Sequence, residues 1–283
     1  MKVLVLGGSG MLGTDVVSLL RSQRHEVWAP DPHEIDLSQP PAEGFADGFD
    51  WVVNCAAYTA VDQAESERDA ATVLNEAAPF LVASALGLGT QMIHISTDYV
   101  FDGTKQGAYL ETDPVCPIGV YGKSKAAGEA ALLSARDDSY VLRTAWLYGP
   151  HGKCFPKAII NRWQGGGELR VVADQRGCPT YTGELARAIL SVMETRPEPG
   201  IYHACGPQAM SWHDFAVQTL HVFENLHPTN LEINISPIRT EDWPTRAARP
   251  ANSVLDCSKL KAATGFEPES VGVSLIRFVE EAY

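Results

Sequence analysis

Tyr121 and Lys125 are the two residues of this 283-residue chain whose types and spacing most clearly suggest chemistry. They stand four residues apart in the stretch YGKSK, so a helix would place a phenol and an ammonium group on one face. We expect the lysine charge, with a cationic nicotinamide nearby as well, to lower the phenol pKa toward working pH, because nearby positive charge favours phenolate. Such a tyrosine can donate or accept a proton in carbonyl chemistry. The same spacing also fits a surface helix with a solvated lysine, so the context must decide.

The first twenty residues predict a dinucleotide-binding element. Lys2–Leu6 reads as a short buried strand, the glycine-rich run 7–13 follows at once with the spacing GxxGxxG, and a helix is predicted over 14–20. A diphosphate needs this combination of a tight turn, an accessible backbone and a helix N-terminus. Three glycines also occur in ordinary tight turns, and the next strand favours the dinucleotide interpretation.

That next strand is predicted over Glu26–Ala29 and is followed by Asp31, eighteen residues after Gly13. A carboxylate at this distance can accept hydrogen bonds from the ribose hydroxyls of the cofactor. It would also repel a 2′-phosphate, which favours NADH over NADPH. The alternative is an ordinary loop residue in the turn with Pro32.

Strand and helix patterns continue to alternate, which predicts an α/β fold with a Rossmann-like, doubly wound parallel sheet. The further predicted elements are strands at Trp51–Cys55, Gln91–Ser96, Tyr140–Thr144 and Ile201–Ala204, and helices over 71–86, 125–135, 155–163 and 184–194. Ligands of such folds lie at the carboxyl ends of the strands. There Thr97 could hold a substrate carbonyl while Tyr121 protonates it. Ala56 and Ala57 would let the backbone lie against a cofactor, or they begin a tightly packed helix.

Composition excludes several classes of function. A formal net charge of -13 argues against general binding of nucleic acid or of anionic membranes. The six cysteines have no CxxC spacing and the histidines show no metal-binding pattern, so no metal site is predicted from the residues. No apolar run reaches membrane-spanning length, and the apolar start is too short for a signal peptide, so we expect a cytoplasmic protein.

Several longer stretches make the chain similar to one family. They are NCAAYTAVDQAE (54–65), STDYVFDG (96–103), PIGVYGKSKAAGE (117–129), RTAWLYGPHG (143–152), DQRGCPT (174–180) and RPANSVLDCSKL (249–260). With GxxGxxG and YxxxK they resemble the dTDP-4-dehydrorhamnose reductase family of the extended short-chain dehydrogenase/reductase superfamily, nearly end to end. The resemblance implies reduction of the C4 carbonyl of dTDP-4-dehydro-L-rhamnose by NADH or NADPH, a step that feeds bacterial surface polysaccharide.

The resemblance also implies roles for individual residues. The implied catalytic residues are Thr97, Tyr121 and Lys125. The implied cofactor contacts are Gly7, Gly10, Met11, Leu12, Asp31, Asp36, Leu37, Ala56, Ala57, Tyr58, Tyr121 and Lys125. The implied sugar contacts are Thr97, Asp98, Tyr99, Phe101 and Trp146. Some members bind magnesium at a dimer interface through acidic residues, so a magnesium ion and a homodimer are left open here.

Beyond Gly149 the pattern loosens, which predicts a smaller C-terminal substrate-binding lobe. We assign 1–148 and 174–203 to a dinucleotide-binding domain, and 149–173 and 204–283 to the substrate-binding lobe. A sugar diphosphate needs local positive charge, and Arg249 and Arg176 are the candidates that guanidinium chemistry favours. Arg239 and Arg246 lie close to Arg249 in the sequence, and such arginines could instead pair with Glu241 and Asp242 on the surface.

Two other functions fit the same sequence features. The chain could be a non-catalytic dinucleotide-binding regulatory subunit, since the beta subunit of methionine adenosyltransferase resembles this family. It could also reduce another nucleotide 4-ketosugar. A dehydratase or epimerase is disfavoured, because dehydratases carry an Asp-Glu pair after the threonine and here Tyr99 follows Asp98.

Overall fold

The computed structural model describes residues 1–42, 44–229 and 231–283. Its strands are β1 Lys2–Leu6, β2 Glu26–Trp28, β3 Trp51–Asn54, β4 Gln91–Thr97, β5 Tyr140–Thr144, β6 Leu147–Tyr148, β7 Leu169–Val172, β8 Arg176–Gly177, β9 Thr180–Tyr181, β10 Gly200–His203, β11 Met210–Ser211 and β12 Ile235–Ile238. Its α-helices are α1 Met11–Ser22, α2 Val61–Ala64, α3 Arg68–Thr72, α4 Ala78–Ser84, α5 Val120–Ala135, α6 Phe155–Gln164, α7 Thr182–Thr195, α8 Trp212–Leu226, α9 Ser258–Thr264 and α10 Val271–Ala282. A π-helical turn, Val73–Ala77, joins α3 to α4.

A six-stranded parallel sheet in the order β10-β5-β4-β3-β1-β2 forms the centre of the molecule. Its strands match the predicted ones to within one residue at each end, which confirms the doubly wound α/β fold. Helices α1 and α7 pack together on one face, and α4 and α5 pack together on the other. Because both faces are covered, β3 and β5 are buried along their whole length.

Helix α1 shows how the sequence specifies this layering. Its buried side chains include Leu12, Val16 and Leu20, which follow each other at helical spacing and point to the sheet. Gly13 lies on the same buried side. A Cβ atom there would overlap the carbonyl oxygen of Gly7, so only glycine allows the helix to approach the turn this closely.

A second apolar core lies among α6, α8, α10 and the short strands β7 and β12. Its largest buried side chains include Tyr148, Phe215 and Phe278. Strands β7 and β12 pair in parallel, as do β6 and β9, and β8 pairs antiparallel with β11. Within the described ranges, no helix combines the length and the apolar character needed to cross a membrane.

Candidate active site

The glycine turn after β1 presents backbone amide groups to a cavity. Gly7 adopts a φ of 73°, and its carbonyl oxygen accepts a hydrogen bond of 3.0 Å from the Gly10 amide. No side chain caps α1, and its first turn holds no acidic residue. The free amide groups at the N-terminus of α1 therefore favour an anion such as a diphosphate.

The cavity has a volume of about 690 Å³, which lies in the range of small-molecule sites. It extends from the glycine turn across the carboxyl ends of β1, β3, β4 and β5, where ligands of parallel sheets bind. Among its lining residues are Gly7, Gly10, Met11, Leu12, Asp36, Leu37, Ala56, Ala57, Thr97, Asp98, Tyr121, Lys125 and Trp146.

Three polar side chains meet at the centre of this cavity. Thr97 ends β4, and its hydroxyl group donates to a carboxylate oxygen of Asp98 at 3.1 Å and accepts the amide of Tyr99 at 3.2 Å. Tyr121, from the first turn of α5, lines the cavity together with Thr97, and the Thr97 hydroxyl group acts on its phenol. Lys125 lies one turn further along α5 and is almost completely buried.

Burial decides the protonation of these groups. It raises the pKa of Tyr121 to about 12 and lowers the pKa of Lys125 to about 8. In the protein without a nicotinamide, the pKa of Tyr121 therefore lies above its usual value, because the phenolate form loses its hydration on burial. Tyr121 keeps its proton at neutral pH, which is the form that can donate.

Asp98 is buried next to the phenol. Burial raises its pKa to about 7, and the hydroxyl groups of Ser253 and Thr97 counteract part of that rise. One of its carboxylate oxygens is buried and has no partner among the described residues. That oxygen can accept from, or donate to, a hydroxyl group of a ligand.

An aromatic stack forms the far end of the cavity. Trp146 lines the cavity and stacks on Trp212 with the ring centroids 3.5 Å apart and the planes 6° apart. The backbone of Trp146 has a φ of 46°, a left-handed conformation that costs free energy for a bulky residue. Gly177 lies against the ring, and a Cβ atom there would overlap it.

The comparisons with known proteins agree with this geometry. A family model described as the RmlD substrate binding domain matches residues 1–283. The chain is 39% identical to a dTDP-4-dehydrorhamnose reductase of Aggregatibacter actinomycetemcomitans over 280 residues, or 94% of each chain. The chain belongs to the dTDP-4-dehydrorhamnose reductase family. The family resemblance read from the sequence is thereby confirmed.

Two further relatives of this family bear on the ligands. A dTDP-4-dehydrorhamnose reductase of Bacillus anthracis, solved in complex with NADP, superimposes with a TM-score of 0.91 at 33% identity over 99% of both chains. A probable dTDP-4,6-dihydroxy-2-methyloxan-3-one 4-ketoreductase of Streptomyces antibioticus is 39% identical over 275 residues, covering 95% of this chain and 90% of that protein.

Two of the family-derived cofactor residues lie outside the cavity lining. Asp31 is exposed between Pro30 and Pro32, which both line the cavity, and its amide donates to the Glu34 carboxylate at 2.8 Å. Tyr58 donates its hydroxyl hydrogen to Glu67 at 2.8 Å. Neither side chain lines the cavity, although the residues on both sides of each in the sequence do.

Phe101 is a correction to the sequence-based expectation. Its side chain is completely buried and stacks on Tyr109 with the ring centroids 4.1 Å apart. The edge of His203 and the guanidinium group of Arg143 cover it on other sides. Phe101 therefore supports the site from behind and cannot contact a sugar through its ring. Tyr99, also expected to contact the sugar, does not line the cavity either, although its ring packs against that of Tyr121 with the centroids 5.8 Å apart.

The arginines that were predicted to bind the sugar diphosphate lie outside the cavity lining. Arg249 does not line the cavity and forms a two-pronged ion pair with Asp62, at 2.8 and 3.2 Å. Arg176 is exposed on β8, away from the cavity lining. Arg239 pairs with Glu241 at 3.2 Å on the surface, as the alternative interpretation of the arginines expected. In the described part of the chain, no cluster of three or more histidine, cysteine or acidic side chains could hold a metal ion, and we do not propose magnesium.

The sequence interpretation missed a buried polar network behind Lys125. Glu129 accepts hydrogen bonds from the guanidinium group of Arg143, the shortest at 2.6 Å, and from the hydroxyl group of Ser96. His94, a completely buried histidine on β4, contacts Lys125. One signal was present in the sequence: Glu129 follows Lys125 by four residues, on the same helix face.

Proposed function

We propose that this protein reduces the C4 carbonyl of dTDP-4-dehydro-L-rhamnose to give dTDP-L-rhamnose, with NADH or NADPH as the hydride donor. The observation that carries the proposal is the phenol of Tyr121, which is protonated at neutral pH and lies with Thr97 on the wall of a dinucleotide-sized cavity. The printed activities of the reductase relatives support the choice of substrate.

The side chains supply all but the hydride in this reaction. When bound, the dinucleotide supplies a hydride to the carbonyl carbon. The Thr97 hydroxyl group holds the carbonyl oxygen, and Tyr121 donates its phenol proton to that oxygen as negative charge develops. Lys125 holds a ribose hydroxyl group of the cofactor. The free amides of the glycine turn bind its diphosphate, and Ala56 and Ala57 let it lie close to the backbone.

The proposal includes a separate binding role for each of the two parts of the chain. The five strands of the central sheet up to residue 148, together with β10, support assigning 1–148 and 174–203 to dinucleotide binding. The second apolar core supports assigning 149–173 and 204–283 to the sugar nucleotide. At the boundary between the two, Asp98 and Trp146 face the cavity and would contact the sugar.

A test of this function uses purified protein with enzymatically made dTDP-4-dehydro-L-rhamnose. Absorbance follows the oxidation of NADH and NADPH, and mass spectrometry identifies the sugar product. Rapid oxidation with formation of dTDP-L-rhamnose is expected. Dinucleotide binding without oxidation would contradict the proposal and favour a regulatory subunit.

A second candidate is a reductase of another dTDP-4-ketosugar. The relative from Streptomyces antibioticus favours it, because its identity to this chain equals that of the reductase from Aggregatibacter actinomycetemcomitans. A competition assay with both ketosugars compares kcat/KM and selects between the two substrates.

The position of Gly177 gives a prediction for the sugar end of the site. Gly177→Ala should raise the KM for the ketosugar roughly tenfold, since an added methyl group must push the Trp146 ring from its place. The affinity for NADH should not change, because the glycine turn is remote. Gly272→Ala is the matched control, as open space surrounds that glycine. An unchanged KM in Gly177→Ala would show that Trp146 does not contact the sugar.

Asp31 gives a prediction for the cofactor. NADH should bind at least as tightly as NADPH, because a carboxylate at the ribose edge repels a 2′-phosphate. Asp31→Asn keeps the shape of the side chain and removes its charge, so it should improve NADPH binding relative to NADH roughly tenfold. Fluorescence titration measures both affinities. A strong NADPH preference in the unaltered protein would show that Asp31 does not face the ribose.

A further inference from the structure

The wall of the active-site cavity carries little positive charge. Among the described residues that line it, Lys125 and Lys153 are the cationic ones, and Asp36 and Asp98 are the acidic ones. The proposed reaction brings two diphosphates to this cavity, one in the dinucleotide and one in the sugar nucleotide. The formal net charge of the chain is -13, so the field of the whole protein opposes both anions. A cation on the cavity wall offsets this repulsion locally.

The two lysines of the wall differ in what they offer to an anion. Lys125 is almost completely buried, and its amino group already donates to the carbonyl oxygen of Ile95 at 2.6 Å and lies 3.1 Å from Nε2 of His94. Lys153 is exposed, and within the described part of the chain its side chain has no hydrogen bond and no ion pair. Lys153 is therefore the lysine whose ammonium group is available to a ligand.

The loop that carries Lys153 packs against the N-terminus of α1. It connects β6 to α6, and a Cβ atom on Gly152 would lie only 3.8 Å from the Cβ atom of Met11, the first residue of α1. Nε2 of His151 lies 3.2 Å from Oδ1 of Asp15, one turn further along the same helix. Lys153 follows Gly152 directly, so its long side chain can reach the space in front of the free amide groups of α1.

Helix α6 holds the same loop from the other side. The ammonium group of Lys157 donates to the carbonyl oxygen of Pro150 at 2.5 Å and to that of Gly152 at 3.3 Å. Gly152 has a φ of 85°, in the left-handed region that favours glycine, so the turn before Lys153 depends on this residue. The backbone that presents Lys153 to the cavity is thus fixed by contacts with both α1 and α6.

We propose that Lys153 binds the diphosphate of the nicotinamide dinucleotide, together with the backbone amides at the N-terminus of α1. The identity of this ligand rests on the proposed function. An ammonium group suits the position, because it is a compact charge on a flexible stem and forms charge-assisted hydrogen bonds to phosphate oxygens. The contact between Gly152 and Met11 favours the dinucleotide over the sugar nucleotide, since it places the lysine beside the amides that face the first of these diphosphates.

This role differs from that of Asp31. NADH and NADPH share the same diphosphate, so a cation there strengthens the binding of both and does not distinguish between them. Lys153 therefore contributes to the affinity for the cofactor, whereas Asp31 contributes to the choice of cofactor.

Titrations of the Lys153→Met variant without ketosugar test the proposal. The affinity for NADH should fall roughly tenfold, since a charge-assisted hydrogen bond is lost while the side chain keeps a similar length. ADP-ribose, which has the diphosphate but no nicotinamide, should lose affinity by the same factor. Lys153→Arg keeps the charge and should bind NADH within about threefold of the unaltered protein. Lys123→Met is the matched control, because Lys123 is an exposed lysine of α5 outside the cavity lining.

The salt dependence of binding gives a second readout that a purely structural role would not change. Raising the concentration of KCl should weaken NADH binding less in Lys153→Met than in the unaltered protein, because salt screens the attraction between the ammonium group and the diphosphate. An equal salt dependence in the two proteins would overturn the proposal.

Other ligands separate the alternatives. Weaker binding of dTDP by Lys153→Met with unchanged binding of NADH would overturn the proposal and place the lysine at the sugar nucleotide. A larger loss for NADPH than for NADH would overturn it in favour of the 2′-phosphate. None of these titrations requires turnover, so a failed reductase assay with intact NADH binding contradicts the proposed function alone, and unchanged NADH affinity in Lys153→Met contradicts the role of Lys153 alone.

Discussion

Replacing Tyr121 with phenylalanine is expected to lower turnover by about 100-fold or more, in the range found when a general acid is removed. Burial keeps the phenol protonated at neutral pH, with a pKa of about 12, and phenylalanine has no proton to donate. The aromatic ring remains, so the cavity keeps its shape. Stopped-flow absorbance of NADH oxidation at saturating ketosugar measures the loss.

The control for this variant is the neighbouring phenol. Tyr99→Phe removes the hydroxyl group next to Tyr121, yet it should cost less than about tenfold, because Tyr99 does not line the cavity. The affinity of Tyr121→Phe for NADH, measured by fluorescence titration, should stay within about twofold of the unaltered protein. Turnover of Tyr121→Phe close to that of the unaltered protein would exclude Tyr121 as the proton donor.

Replacing Glu129 with leucine is expected to lower the free energy of unfolding by about 3–5 kcal/mol. Arg143 and Glu129 form an ion pair of 2.6 Å whose side chains are only 1% and 4% exposed. Without the carboxylate, the guanidinium group is left buried and uncompensated, and the hydroxyl group of Ser96 loses its acceptor. Equilibrium unfolding in urea, followed by tryptophan fluorescence, measures the change.

A double variant separates the lost pair from the buried charge. Glu129→Leu combined with Arg143→Met removes both charges, so it should recover most of the stability lost in Glu129→Leu alone. Equal destabilisation in the single and double variants would show that packing around α5, and not the uncompensated guanidinium group, causes the loss.

Local spacing predicted much of this site because the relevant contacts lie close in the sequence. The glycine turn requires only that a strand, a tight turn and a helix follow each other, and these appear as β1, 7–10 and α1. Tyr121 and Lys125 share a face of α5 because they are separated by four residues. The carboxyl ends of parallel strands then bring Thr97 to the same edge.

The predicted helix over 71–86 illustrates what local patterns cannot convey. The structure divides it into Arg68–Thr72, a π-helical turn and Ala78–Ser84. Gly128 of α5 packs against the carbonyl group of Asn75 so closely that a Cβ atom would overlap it. The buried side chain of Asn75 also bonds the backbone of Tyr58 and the hydroxyl group of Ser124. These partners lie far away in the sequence, so the periodicity of residues 71–86 could not predict the π-helical turn.

The amino-acid sequence by itself determined the class of fold, the family and the two reactive side chains on one helix face. The tertiary structure alone decided the partner of Arg249, which is Asp62 at a separation of 187 residues. It also showed that the Phe101 ring is buried outside the cavity and that His94 lies behind Lys125. Above all, it decided the pKa shifts of Tyr121 and Lys125 in the free protein, because the hydration of a charged group is lost only when distant segments cover it.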